Sequence, residues 1–145
     1  MKPLFIILTV LASIFTSSSY AGNKDVTPVV LQSFQQSFGK QKDVEWSVTN
    51  QWYKANFSFN GQYVSAYFDA SGQMIAVTHR ITTLQLPITL QAKLKKEYND
   101  YWVSDLFEIV KDDVAYYITL ENADTKIVLQ ATPGSKWSVY QKSEK

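Results

Sequence analysis

The chain has 145 residues, 46% apolar and 14% aromatic, and its fourteen basic side chains stand against thirteen acidic ones. That length suits one domain, or two small repeats sharing a core, and the apolar share excludes wholesale disorder. A near-neutral chain without blocks of like charge lacks the basic stripe that nucleic acid demands and any electrostatic hold on an anionic membrane, and the absence of cysteine removes disulfides, thiol chemistry, Cys-ligated zinc and iron–sulfur clusters.

The first segment reads as a leader. Lys2 supplies the positive end, Leu4–Phe15 is a short apolar run, and Ser19-Tyr20-Ala21 fits a small-x-small cleavage site with Gly22 as the new first residue. The apolar run falls short of the roughly 20 residues that span a membrane. A signal peptide over 1–21 is therefore predicted, with residues 22–145 as the mature chain, periplasmic or secreted. No Cys follows the site, so no lipid anchor and no stable membrane attachment is expected after cleavage. Loss of Lys2 leaves the mature chain balanced in charge.

Asn23–Thr27 is a polar entry in which Asp25 or Thr27 can cap a helix, and Pro28 suits its first position. Val30, Phe34 and Phe38, with Leu31 beside them, mark one buried helical face, and Gly39 ends it. A short strand follows with Val44, Trp46 and Val48 on one side. Three strands then run from Trp52 to Arg80. Tyr53, Ala55, Phe57 and Phe59 alternate against Trp52, Lys54, Asn56 and Ser58. Asn60-Gly61 is a two-residue hairpin signal, because a type I′ turn needs positive φ at both centres. Val64, Ala66 and Phe68 alternate against Tyr63, Ser65 and Tyr67, and Asp69–Gly72 turns the chain into Gln73–His79.

Ile81–Leu86 connects to a second helix opened by Pro87, with Ile88, Leu90, Leu94 and Tyr98 as its stripe. Strands are predicted over Asp105–Lys111, Val114–Leu120, Lys126–Ala131 and Lys136–Tyr140, and Gln141–Lys145 as a frayed polar tail. The halves repeat: Pro28-Val29-Val30-Leu31-Gln32 parallels Pro87-Ile88-Thr89-Leu90-Gln91, giving repeats of about 26–81 and 85–140. The fold class is α+β: two α-β-β-β-β units forming one antiparallel sheet, helices packed on one face and the other open to solvent.

Trp52-Tyr53-x-Ala55-x-Phe57, the Gly61 turn, Ala66-Tyr67-Phe68-Asp69-x-x-Gly72 and Leu86-Pro87 before a helix resemble the PepSY-like, β-lactamase-inhibitor-like group of exported bacterial proteins. The resemblance spans the mature chain and rests on strand aromatics and turn glycines rather than a reactive centre. It implies a tandem-repeat sheet like that of the β-lactamase inhibitor protein, whose open face grips an enzyme. That inhibitor carries disulfides and this chain has no Cys, so the same target does not follow.

No catalytic constellation emerges. His79, the sole histidine, would need an orienting carboxylate and a nucleophile to act as a base, and reads instead as a strand-end residue. Asp69-x-Ser71-Gly72 lacks the further oxygen ligands of a calcium loop and reads as a turn. Asp112-Asp113, and Asp105 with Glu108, offer paired carboxylates without a pocket signal. No metal site, cofactor or enzyme activity is expected.

The polar-aromatic face is the lead. Alternation places Trp52, Lys54, Asn56, Tyr63 and Tyr67 on the open side, and Tyr117, Thr119, Val128 and Gln130 with them in the second half. Trp and Tyr dominate binding hot spots, and equally they pair across strands to stabilise a sheet by about 0.2–1 kcal/mol per pair. The expected binding set is Trp52, Lys54, Asn56, Tyr63, Tyr67 and Tyr117, with Tyr67→Ala weakening binding at nearly unchanged thermal midpoint. The expected role is non-catalytic: binding or inhibiting an exported protein. The alternative is holding a peptide, glycan or lipid fragment of the envelope.

Overall fold

Thr27 holds extended backbone and its carbonyl accepts the Leu31 N–H at 3.1 Å, which lets Pro28 open the first helix without losing a hydrogen bond. The structure, a computed structural model, describes residues 25–145; the predicted signal peptide lies outside them. Helix α1 spans Pro28–Phe38 and stops at Gly39, whose φ of 72° only glycine adopts cheaply. The capping comes from backbone alone, for the Thr27 hydroxyl makes no cap bond. Val30 and Phe34 are buried. The Phe34 ring meets Trp46 at 5.3 Å and Phe57 at 4.9 Å, both edge-on, the arrangement that aromatic quadrupoles favour.

Eight strands follow: β1 (Glu45–Val48), β2 (Tyr53–Phe59), β3 (Gln62–Phe68), β4 (Met74–Arg80), β5 (Trp102–Val110), β6 (Val114–Glu121), β7 (Thr125–Ala131) and β8 (Ser138–Glu144). They form one sheet in the order β1 to β8, each antiparallel to the next. Helix α2 (Ile88–Glu97) lies between β4 and β5 in the chain. Each half is thus one helix followed by four strands. Asn60 and Gly61 both have positive φ, 50° and 78°, as the hairpin between β2 and β3 requires.

Two clusters pack the helix side. α1 covers Trp46, Ala55, Phe57, Val64, Ala66 and Phe68. Leu90 of α2 covers Leu106, Ile118, Leu120, Ile127 and Leu129. The Trp137 indole donates to the Leu90 carbonyl at 3.0 Å, tying the β7–β8 connection to α2.

Three expectations are corrected. Ile88 is 75% exposed while Leu90 is buried, because residues two apart on a helix point to opposite sides. β5 begins at Trp102, three residues earlier than its alternation suggests, since the register shifts between Val103 and Asp105 and a bulge breaks the period of two. Residues 141–144 are no frayed tail but the second half of β8, and Lys145 pairs with Glu121 at 2.7 Å.

The open side is also not the solvent-washed face that alternation suggests. Trp52, Tyr67, Ala76, Phe107, Ile109, Tyr117 and Val128 form a buried cluster there, with Ile75, Ala115 and Tyr140 packed against it. Thr119 is buried as well. Alternation names a residue's face and says nothing of what lies over it. Here large rings on adjacent strands lie over one another.

Candidate functional site

The six expected residues share the open side, but the structure divides them by depth. Trp52, Tyr67 and Tyr117 are buried, Lys54 and Asn56 are half-buried, and Tyr63 is 57% exposed. Tyr67 is covered by Trp52, ring centroids 5.5 Å apart, and by the Lys54 ammonium 5.6 Å above its ring. The expectation that Tyr67→Ala leaves stability nearly unchanged is therefore corrected: a ring 1% exposed inside a packed cluster is part of the core.

Four of the six meet around one cleft of about 150 Å³: Lys54, Asn56, Tyr63 and Tyr67. Hairpin register brings them together. Lys54 faces Tyr67, Asn56 faces Ser65, and Ser58 faces Tyr63, so one face of β2 and β3 forms a wall and floor. The Ser65 hydroxyl donates to the Asn56 side-chain oxygen at 2.7 Å, leaving NH2 as the donor half of that amide. Trp52 packs against Tyr67 without lining the cleft. Tyr117 lies apart, stacked on Phe107.

The opposite wall is what sequence reasoning missed. Thr78, His79, Arg80, Asp105 and Phe107 complete the cleft from β4 and β5. Arg80 Nε lies 3.5 Å from an Asp105 carboxylate oxygen, with the arginine 76% exposed. Alternation through Ala76, Thr78 and Arg80 puts Arg80 on the open side. Its placement opposite Phe107 depends on the β4–β5 pairing across α2, which no hairpin signal announces.

The electrostatics follow from burial. The Lys54 ammonium is destabilised by desolvation and then by Arg80, so its pKa is lowered. Tyr67 is pushed well above the ordinary phenol range by burial, against an opposing hydrogen bond with Thr78. Tyr117 is pushed up to about 12 by burial, with Tyr140 adding to it.

The remaining candidates have structural partners. His79 Nε2 lies 3.7 Å from a Glu108 oxygen; the two are direct cross-strand partners in a register row shared with Val64 and Tyr116, on the helix side. Asp105 and Glu108 are three apart on a strand, so they point to opposite faces and do not act as a pair. Asp69 accepts the N–H groups of Ser71 and Gln73 at 2.9 and 3.0 Å, which is a turn. Asp112 and Asp113 sit in the β5–β6 turn. Among the described residues no three His, Asp or Glu side chains gather to hold a metal, and no helix is long and apolar enough to cross a membrane.

Several solved structures from Bacteroides share this architecture. A DUF2874 family protein from Bacteroides ovatus superposes with a TM-score of 0.71 at 23% identity, over 83% of this chain and 89% of its own. A BLIP-like protein from Bacteroides fragilis does so with a TM-score of 0.67 at 15% identity, over 84% and 90%. The fold is BLIP-like. A candidate periplasmic protein from Bacteroides eggerthii gives a TM-score of 0.72 at 16% identity, over 82% and 88%. No protein-family model matches the sequence, and no curated protein does. At these identities the likeness carries the BLIP-like architecture and nothing of chemistry.

Further hollows flank the sheet, two of them on its second half. One of about 490 Å³ on the second half is lined by Tyr117, Gln130, Lys136, Ser138 and Tyr140. The other, about 560 Å³ and more apolar, runs along α2 past Ile88, Leu94, Tyr98, Tyr101 and Val103.

Proposed function

We propose that the chain is an exported, non-catalytic binding domain of the PepSY-like group that grips a periplasmic protein through the open side of its sheet. The recognition surface is the rim of the cleft: Lys54, Asn56, Tyr63 and Arg80. Trp52, Tyr67 and Tyr117, named for the surface from sequence, serve it indirectly: Trp52 packs on Tyr67 and Tyr117 on Phe107, two rings that line the cleft. One observation carries this reading. Lys54 is half-buried, yet none of the ion pairs among the described residues includes it. A cation kept partly out of water without a counter-charge is costly, and a partner can supply what is missing. The cleft's 150 Å³ lies below the roughly 300–1,000 Å³ of small-molecule sites, which favours a side chain inserted from a larger surface. The leader and the likeness to a candidate periplasmic protein support the compartment.

The test is affinity capture from a periplasmic extract of the source organism, with purified protein as bait and a Tyr63→Ala, Arg80→Ala double variant beside it. One protein recovered near equal stoichiometry by the wild type, and lost with the folded double variant, supports the reading. Equal recovery by both baits removes the cleft rim from recognition.

A second reading has its own observation. The hollow over Tyr117 and Tyr140 is large enough for a peptide, glycan or lipid fragment of the envelope. Retention of such a fragment by wild type and by the Tyr63→Ala, Arg80→Ala variant, but not by Tyr140→Ala, would favour it.

A further inference from the structure

Resting on that reading of the cleft, the arrangement of charges specifies what enters it. Lys54 and Arg80 line the same 150 Å³ space from β2 and β4, close enough that Arg80 acts on Lys54 as a like charge. Asp105 offsets only one of the two charges, and loosely. Its contact with Arg80 is 3.5 Å, long beside the roughly 2.7–2.9 Å of a strong charge-assisted bond. The remaining lining adds a donor, the Asn56 NH2, whose oxygen is already engaged by Ser65, while the Thr78 hydroxyl is committed to Tyr67.

We propose that this cleft receives the carboxylate of an aspartate or glutamate side chain presented by the protein partner, held between Lys54 and Arg80. The charge count selects the ligand class. Two cations and one carboxylate leave a single net positive charge, which matches a monoanion. A phosphate carries roughly −1.5 to −2 at neutral pH and would meet Asp105 at the rim. An anion placed between the two cations relieves their mutual repulsion and partners the half-buried ammonium in one step. The volume suits a side-chain tip.

The probe is the capped peptide Ac-Gly-Glu-Gly-NH2, with Ac-Gly-Gln-Gly-NH2 and inorganic phosphate as comparisons, followed by amide chemical shifts of the purified protein. The expected result is saturable movement of the Lys54, Tyr63 and Arg80 amides with the glutamyl peptide, half-complete on the order of millimolar. The glutaminyl peptide should give none. Lys54→Met keeps an unbranched side chain beside Tyr67 while removing the charge, and should weaken the response about tenfold or more. Arg80→Gln, at an exposed position that cannot unsettle the core, gives a second variant with the same expectation. Equal response to both peptides, or tighter binding of phosphate, overturns the proposal. So does recovery of a partner through the cleft rim without any response to the glutamyl peptide, in which case the binding role stands and the carboxylate assignment falls. A specific peptide response without a captured partner supports the assignment and counts against the protein-binding role.

Discussion

Phe107 and Tyr117 are direct cross-strand partners of β5 and β6, and their rings stack 5.6 Å apart and 14° from parallel on the side of the sheet that carries no helix. Tyr140, from the outermost strand, meets Tyr117 edge-on at 5.5 Å. The stack leaves Tyr117 only 3% exposed. It ties strands that follow α2 into the floor of a cleft whose other wall comes from strands before it.

Removing that stack should be costly. Phe107→Ala is expected to lower the unfolding free energy by about 3–5 kcal/mol, as for a large aromatic deleted from a core. Tyr67→Ala, in the same cluster, should also destabilise strongly. Tyr63→Ala, at a 57% exposed position, should cost far less. Urea denaturation of the three variants checks the ranking, and a Phe107→Ala midpoint equal to wild type would remove the open-side cluster from the core.

Alkaline pH should loosen the same cluster. Burial, then Tyr140, holds the Tyr117 phenol up to about 12, against about 10 in an unfolded chain. The native state thus binds this proton more tightly than the unfolded state. The stability tied to it is complete below about pH 10 and is lost as pH rises from there through 12. Tyr67 is shifted in the same direction. Denaturation midpoints measured from pH 8 to 12 should fall, and Tyr117→Phe should flatten the fall. A parallel decline in that variant would assign the loss to other groups.

Two turn glycines should respond differently to the same change. Gly61 has φ 78° and nothing within 4 Å of an added Cβ, so Gly61→Ala should cost only the left-handed backbone, about 1–2 kcal/mol. Gly72 has φ 85°, and its added Cβ would sit 2.9 Å from Ser33 Oγ and 3.0 Å from the Val29 carbonyl oxygen of α1. Gly72→Ala should therefore cost more, by the displacement of a helix backbone. Equal midpoint shifts for the two variants would show that the β3–β4 turn does not dock on α1 this closely.

Removing residues 141–145 should lower the thermal midpoint and raise hydrogen exchange along β7. Residues 141–144 pair with Thr125–Val128. Lys145 bonds Glu121 at 2.7 Å and lies 4.8 Å over the Trp102 ring. Lys145 is also the first cause holding the Glu121 carboxyl below its usual range. That contribution is present at neutral pH and lost as pH falls through the depressed value. Unchanged exchange in the truncated chain would return these residues to the status of a tail.

Much of the architecture was legible in residues. Asn60-Gly61, the alternation through Tyr53–Phe68 and the Val30–Phe34 stripe each name one element with a physical reason, and the structure carries all three. Depth was not legible. Trp52, Tyr67 and Tyr117 were assigned to the correct side, but their burial depends on rings from other strands. The bulge near Ser104 hid the start of β5. The second half of β8, an edge strand with one side unpaired and polar residues throughout, carries no alternation to read, so the strand expected over Lys136–Tyr140 was ended too early. Arg80 and Asp105 escaped because their meeting depends on β4 and β5 pairing across α2.

The strictly sequential strand order governs how the chain assembles. Every strand pairs with the one before it, so nearly all closures span short turns, which cost little entropy and favour fast zippering. The exception is the closure from Arg80 to Phe107, which must gather α2 on the way. That seam is where two locally formed halves become one molecule, and it also runs through the cleft. The cleft is therefore absent from either half by itself and comes into being only with the last long-range closure.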